Sequence, residues 1–150
     1  NDPWIIDLLA SNTNIYVGLL IGLLVTVFLQ SSALISGIMV ILAGAGLVGF
    51  EQAFAILLGT NVGTTSTALI ASAVMNKEAK RAAMAHFVFN VLGVVLVLPF
   101  LKPVSEFIIS LSDSSAMQVS LAHILFNIAS AILGLVFIKW FEKLVLRMVR

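Results

Sequence analysis

Cysteine is absent from the 150 residues, and Asp, Glu, Lys and Arg together make up only 10% of them. The first absence excludes disulfide frameworks, thiolate chemistry and cysteine-ligated metal, and leaves the redox compartment unread. The second excludes a water-covered surface, because soluble domains carry roughly 25% charged residues. No basic stripe with interleaved aromatics is present, and the net charge is +1, so nothing points to nucleic acid. Before the first apolar run there is no basic segment of the signal-peptide kind. The opening Asn1-Asp2-Pro3 reads instead as the interior of a longer chain.

What is abundant is apolar: 61% of the residues are hydrophobic and mean hydropathy is +1.15. Charge is also segregated. Ile15 to Phe50, Ala82 to Leu101 and Ser114 to Ile138 contain no Asp, Glu, Lys or Arg. A bilayer crossing needs about 20 such residues. The expectation is an all-α integral membrane protein.

Along the chain, Pro3 to Ala10 is a short amphipathic stretch, and Ser11-Asn12-Thr13-Asn14 can cap the helix that follows. Two apolar runs flank Gln30-Ser31-Ser32, and the second ends in the glycine-rich Gly44 to Gly49. Each run has about 15 residues, or roughly 22 Å of helix, against a hydrocarbon core of roughly 30 Å. Residues 15–46 therefore suggest a re-entrant hairpin, with two tilted full crossings as the other possibility. Both ends lie on one side either way.

Residues 51–75 are long enough to cross, but glycines and hydroxyls fill their middle from Gly59 to Thr67, which predicts a broken helix. Further crossings are expected at 82–101, ended by Pro99 and Pro103, and at 119–138. A polar loop from Lys102 to Ser120 joins them, and a basic interfacial tail occupies 139–150. This topology puts Lys77, Lys80 and Arg81 on the same side as Lys139, Lys143, Arg147 and Arg150, a side the positive-inside rule makes cytoplasmic. Ala85-His86-Phe87-Val88-Phe89-Asn90 is echoed weakly by Ala122-His123-Ile124-Leu125-Phe126-Asn127.

Non-helical backbone deep in a membrane persists only where protein or a watery cavity satisfies it, and transporters build sites from such breaks. The helix start at Ser31 and Ser32, and a second start at Thr64 and Thr65, would offer N–H groups, dipole and hydroxyls to an anion. The opposite ends, near Leu29 and Gly59-Thr60, expose carbonyls suited to a small hard cation, helped by Gln30 and Asn61. With no Lys or Arg at that depth, a bound divalent anion requires co-bound cations. Against this stands a plainer reading, in which small and hydroxyl residues only allow helices to pack closely. Gly18 and Gly22 are assigned to packing on that ground. Glu51 reads as an interfacial or capping residue, and Trp4 and Trp140 as interfacial anchors. Metal binding by His86 and His123 is disfavoured, since no carboxylate or cysteine lies close in sequence.

Gln30-Ser31-Ser32 followed by Gly59-Thr60-Asn61-Val62-Gly63-Thr64-Thr65 resembles the signature of the sodium–phosphate cotransporter family, the renal type with its bacterial relatives. The likeness includes Glu51-Gln52-Ala53 and the stretch Ala79 to Asn90, and it reaches the second His-x-x-Phe-Asn at His123. It implies one repeat of an inverted-repeat transporter, most like the family's second half. Phosphate would then be held by Gln30, Ser31, Ser32, Thr64 and Thr65. Sodium would be held by Gln30, Ser32, Gly59, Thr60 and Asn61. Na⁺ would be the co-transported ion, with no organic cofactor and no enzymatic activity. Partners would be inorganic phosphate, sodium, the lipid bilayer and a second repeat supplied upstream or by another chain. The family's third serine is Ala33 here. The rival expectations are a passive anion channel using the polar segments as a filter, and a membrane scaffold that transports nothing.

Overall fold

A computed structural model describes residues 14–149, and all the regular structure among them is helical. Helix α1 (Ile15–Leu29) starts from Asn14, whose side chain accepts the Tyr16 amide at 3.0 Å. The amphipathic stretch before it, with Ser11 to Thr13 and Trp4, lies outside the described residues, as does Arg150. Helix α1 ends at Gln30, whose φ of 53° is left-handed. Ser31 then caps α2 (Ser32–Gly44). This second helix closes with Gly46 at φ 70°, where the Gly46 and Leu47 amides donate to Ala43 and Leu42. That is the Schellman pattern, which needs a residue without Cβ at the left-handed position.

Helix α3 (Phe50–Gly63) and the short α4 (Thr65–Ser72) follow, then α5 (Lys77–Val97), capped by Asn76 accepting the Ala79 amide. A 3₁₀ turn at Leu98–Phe100 leads into α6 (Leu101–Ser110). Helix α7 (Ser115–Val136) is capped by Ser114, and α8 (Ile138–Met148) completes the chain. Among the described residues, three stretches are long and apolar enough to cross a membrane: Phe50–Ser72, Lys77–Ser110 and Ser115–Val136.

One expectation is corrected. The helix predicted over 82–101 begins earlier, at Lys77, and ends at Val97 just before Pro99, but the connection predicted as a polar loop is partly helix. After the 3₁₀ turn the chain is helical again from Leu101 to Ser110, and the apolar stretch runs through to that point. Both prolines fall in first turns, where no intrahelical N–H is required. Only 111–114 lie outside helix before α7 begins.

The core is organised around α3, which is buried from Gln52 through Thr60. Helix α1 lies parallel to it. Gly18 faces Ala55, Gly22 faces the Ile56 carbonyl, and two turns beyond Gly18, Thr26 faces Gly63. A Cβ on Gly22 would overlap the Ile56 carbonyl oxygen, and one on Gly59 would overlap that of Leu19. Glycines from both helices thus let two backbones touch, which is how apolar helices associate where no hydrophobic gradient drives them. Helix α2 packs on α3 and α7, with Gly44 against Ala116. Helices α5 and α7 run antiparallel, Gly93 meeting Phe126 and Ser130 while Phe89 meets Gly134. The last helix returns to the start of α5, where Arg81 Nε donates to the Val149 carbonyl at 3.1 Å. The two basic clusters therefore share one end of the molecule.

Candidate functional site

The two polar segments come to the same level because of the α1–α3 register. Continuing the parallel pairing of Thr26 with Gly63 by one turn sets Gln30 beside the height of Thr64 to Thr67. Their local structures differ.

At the tip the backbone departs from helix. The Gln30 amide still reaches the Thr26 carbonyl at 2.7 Å, but the residue itself is left-handed, a conformation that costs a non-glycine residue roughly 1–2 kcal/mol. Ser31 is extended, and its hydroxyl oxygen accepts the Leu34 amide at 3.3 Å. That bond uses a lone pair and leaves the hydroxyl proton free. The amides of Ser32 and Ala33, in the first turn of α2, have no helical carbonyl ahead of them. Gln30 and Ala33 are exposed, while Ser31 and Ser32 are half-buried. The tip therefore presents hydrogen-bond donors.

Along 59–67 the break predicted from the sequence is nearly absent. Helix α3 runs through Gly59, Thr60, Asn61, Val62 and Gly63, and the interruption is confined to Thr64. Even there φ and ψ are −58° and −27°, and the amide bonds the Thr60 carbonyl at 2.9 Å. The physical reason is that Gly59 and Gly63 serve close approach to α1, so they need not release the backbone. The polar side chains bond their own helix. Thr60 Oγ1 and Asn61 Nδ2 both donate to the Leu57 carbonyl, at 2.7 and 3.0 Å. Thr64 Oγ1 donates to Thr60 and Thr65 Oγ1 to Val62, each at 2.7 Å. A carbonyl can only accept, so these protons are committed and the oxygens retain lone pairs alone. This segment presents acceptors. Thr60 and Thr65 are buried, Asn61 is half-buried, and Thr64 is exposed beside the tip's level.

Three further polar residues belong to this interior. Thr26, fully buried one turn before Gln30, donates to the Gly22 carbonyl at 2.7 Å and lies against Gly63. Its only sequence signal was a hydroxyl isolated in an apolar run. Gln52, 7% exposed, lies flat on Gly18, and neither end of its amide has a partner among the described residues. Ser66 Oγ is likewise buried without one. Glu51 stands exposed in the first turn of α3, at the helix end where a negative charge is favoured. Among the described residues before Asn76 it is the only charged one. His86 and His123 each have their backbone carbonyl bonded by the asparagine four residues on, at 2.9 and 2.8 Å. The repeated motif is thus a repeated local geometry. No group of three His, Asp or Glu able to hold a metal occurs among the described residues.

The fold is that of a helical membrane protein in which two polar segments lie among close-packed, glycine-rich helices. Residues 5–140 match the family model described as Na⁺/Pi-cotransporter, and the chain belongs to that family. The chain is 42% identical over 105 residues to the uncharacterized protein YqeW of Bacillus subtilis (strain 168), covering 70% of this chain and 34% of that protein. It is 38% identical over 85 residues to sodium-dependent phosphate transport protein 2C of Rattus norvegicus, covering 54% of this chain and 14% of that one. It is 34% identical over 88 residues to sodium-dependent phosphate transport protein 2B of Bos taurus, covering 56% and 13%. The chain thus spans 34% or less of these relatives' lengths. No solved structure matches.

Proposed function

We propose that this chain forms one half of a sodium-coupled symporter of inorganic phosphate, a secondary transporter rather than an enzyme. The observation that carries the reading is the meeting, at one level, of a donor-bearing tip and an acceptor-bearing helix. Phosphate is held by the tip: the Ser31 and Ser32 hydroxyls, the amides of Ser32 and Ala33, and the Gln30 side-chain amide, assisted by the dipole of α2. Ala33 removes a hydroxyl but keeps its backbone donor. Sodium is held by the Asn61 side-chain carbonyl oxygen and by the hydroxyl oxygens of Thr60, Thr64 and Thr65, whose protons are already committed, together with the carbonyls at the end of α1 and near Gly59. Hydrogen-bond direction therefore favours moving Thr64 and Thr65 from the phosphate set, where family likeness puts them, to the sodium set.

The first arm of the hairpin has 15 residues and the neighbouring crossing 23. The arm is about 22 Å long against about 34 Å, so a tip that enters part-way and turns back is supported. Two charges on phosphate with no Lys or Arg nearby make neutralisation by sodium the condition for binding, which is a physical basis for coupling. Gln30, Ala33 and Thr64 are exposed, so the site is completed by a second repeat, from elsewhere in the same polypeptide or from another copy. The basic end, Lys77–Arg81 with Lys139–Arg150, faces the cytoplasm of a cell membrane.

Reconstituted in proteoliposomes, the complete protein is expected to accumulate ³²P-phosphate against its gradient when sodium is high outside, and to stop when choline replaces sodium. Flux that only follows the phosphate gradient would make the protein a passive pore. No flux, together with no thermal stabilisation by phosphate in sodium buffer, would leave a scaffold.

A further inference from the structure

Away from the polar segments, two cavities lie between α5 and the α7–α8 pair, and Phe141 lines both. The deeper one, about 380 Å³, is walled by Phe89, Leu92, Gly93, Leu96 and Leu133, with Trp140 at its rim. Gly93 and Gly134 keep the two helices close without filling it. The second, about 280 Å³, is lined at the basic end by Arg81, Ala82, Ala85, Ile138 and Glu142. Arg81 and Glu142 are not ion-paired with one another among the described residues. The Arg81 Nε is occupied by the Val149 carbonyl, which orients the guanidinium and leaves its terminal N–H groups. From Arg81 down to Gly93 is about 18 Å along α5, close to one leaflet's hydrocarbon depth of about 15 Å.

We propose that these two neighbouring cavities, which share Phe141, together hold one glycerophospholipid of the ethanolamine class. An acyl chain fills the deeper cavity, the phosphate meets Arg81, and the primary ammonium meets Glu142. Charge selects the headgroup: the cleft offers one cation and one carboxylate, whereas Lys77, Lys80, Lys139, Lys143 and Arg147 line neither cavity. Those outward-facing cations attract anionic lipid to the end as a whole, but the cleft matches a headgroup carrying both signs. A choline headgroup brings no N–H donor to Glu142, and a glycerol headgroup brings no cation.

The test uses the intact protein in nanodiscs containing equal amounts of phosphatidylethanolamine, phosphatidylglycerol and phosphatidylcholine. Retained lipid is counted by native mass spectrometry after mild detergent transfer. One phosphatidylethanolamine per chain is expected, retained at least five-fold over either competitor. Glu142→Gln should abolish that preference, raising phosphatidylglycerol to parity or above. Leu96→Trp, at a position 55% exposed and so tolerant of change, should lower retention of all three lipids with unchanged thermal unfolding. No retained lipid, or equal retention of all three by the unaltered protein, would overturn the proposal. So would cross-linking of a photoreactive group at Leu96 to another part of the polypeptide rather than to lipid, because the cleft would then be a seam between protein segments.

Discussion

At the junction of α1 and α2 the backbone leaves the helix, and the Ser31 hydroxyl oxygen accepts a hydrogen bond from the Leu34 amide. Across the interface, from Thr60 to Thr65, the backbone stays helical and every threonine hydroxyl gives its proton away. Neutral residues of nearly the same composition thus acquire opposite polarity from backbone geometry alone. An N-capping hydroxyl keeps its own proton to donate, while a back-bonded hydroxyl is left as an acceptor. A site of this kind can separate an anion from its companion cations without placing a charged side chain in the membrane, where one is costly.

The largest effect that could break this comparison comes from the glycines holding the two regions level. Gly59→Ala puts a methyl group onto the Leu19 carbonyl and within 2.8 Å of the Leu23 amide nitrogen. Backbone cannot give way as a flexible side chain would. A loss of about 3 kcal/mol is expected, visible as a lower unfolding temperature and aggregation during size-exclusion chromatography. An unperturbed melt with normal uptake would mean that α1 and α3 do not meet as described.

Next in size is the contrast between donors and acceptors themselves. Ser31→Ala removes the cap and the free hydroxyl proton, so about 1 kcal/mol of stability and at least ten-fold in the KM for phosphate should be lost, with sodium dependence little changed. Thr64→Val keeps the shape and removes the lone pairs. It should raise the half-saturating sodium concentration about ten-fold at saturating phosphate. If both variants raise the phosphate KM alone, the threonines belong to the anion after all, as the family likeness assigns them.

A subtler comparison separates what the tip costs from what it does. The Gln30 backbone is left-handed, so Gln30→Gly should stabilise the fold by about 1 kcal/mol while removing the side-chain amide. Higher stability with uptake reduced ten-fold or more is expected. Retained uptake would show that the turn is needed and the amide is not.

Much of this was legible from residues alone, and the failures have a common cause. Uncharged run lengths marked the crossings, Gln30-Ser31-Ser32 marked a real interruption, and Gly18 with Gly22 were read correctly as packing residues. The same logic was not extended to Gly59 and Gly63, which share that four-residue spacing and pack across the same α1–α3 interface from the other side. Glycine signals either a freed backbone or a close approach, and only the partner across the interface decides which. Pro99 and Pro103 were read as stops, and α5 does end at Val97, but the restart as α6 was missed because a proline suits a helix's first turn as well as a loop. Thr26 and Gln52 were missed because burial against a neighbouring glycine leaves no local mark in a sequence.

The smallest expected effect isolates that ambiguity. Gly37, in the interior of α2, has nothing within 4 Å of an added Cβ and lies one turn beyond the exposed Ala33. Without a neighbour to clash with, Gly37→Ala should gain about 0.5–1 kcal/mol through helix propensity and a less disordered unfolded chain. The measurement is the thermal melt of this chain beside that of Gly59→Ala. Two glycines at helical positions of adjacent elements should then give shifts of opposite sign, since one is packed against carbonyl oxygen and the other faces open space. A destabilised Gly37→Ala would mean that α2 meets a partner within this chain on its tip-facing side. The donors at Ser32 and Ala33 would then be covered rather than open to an anion.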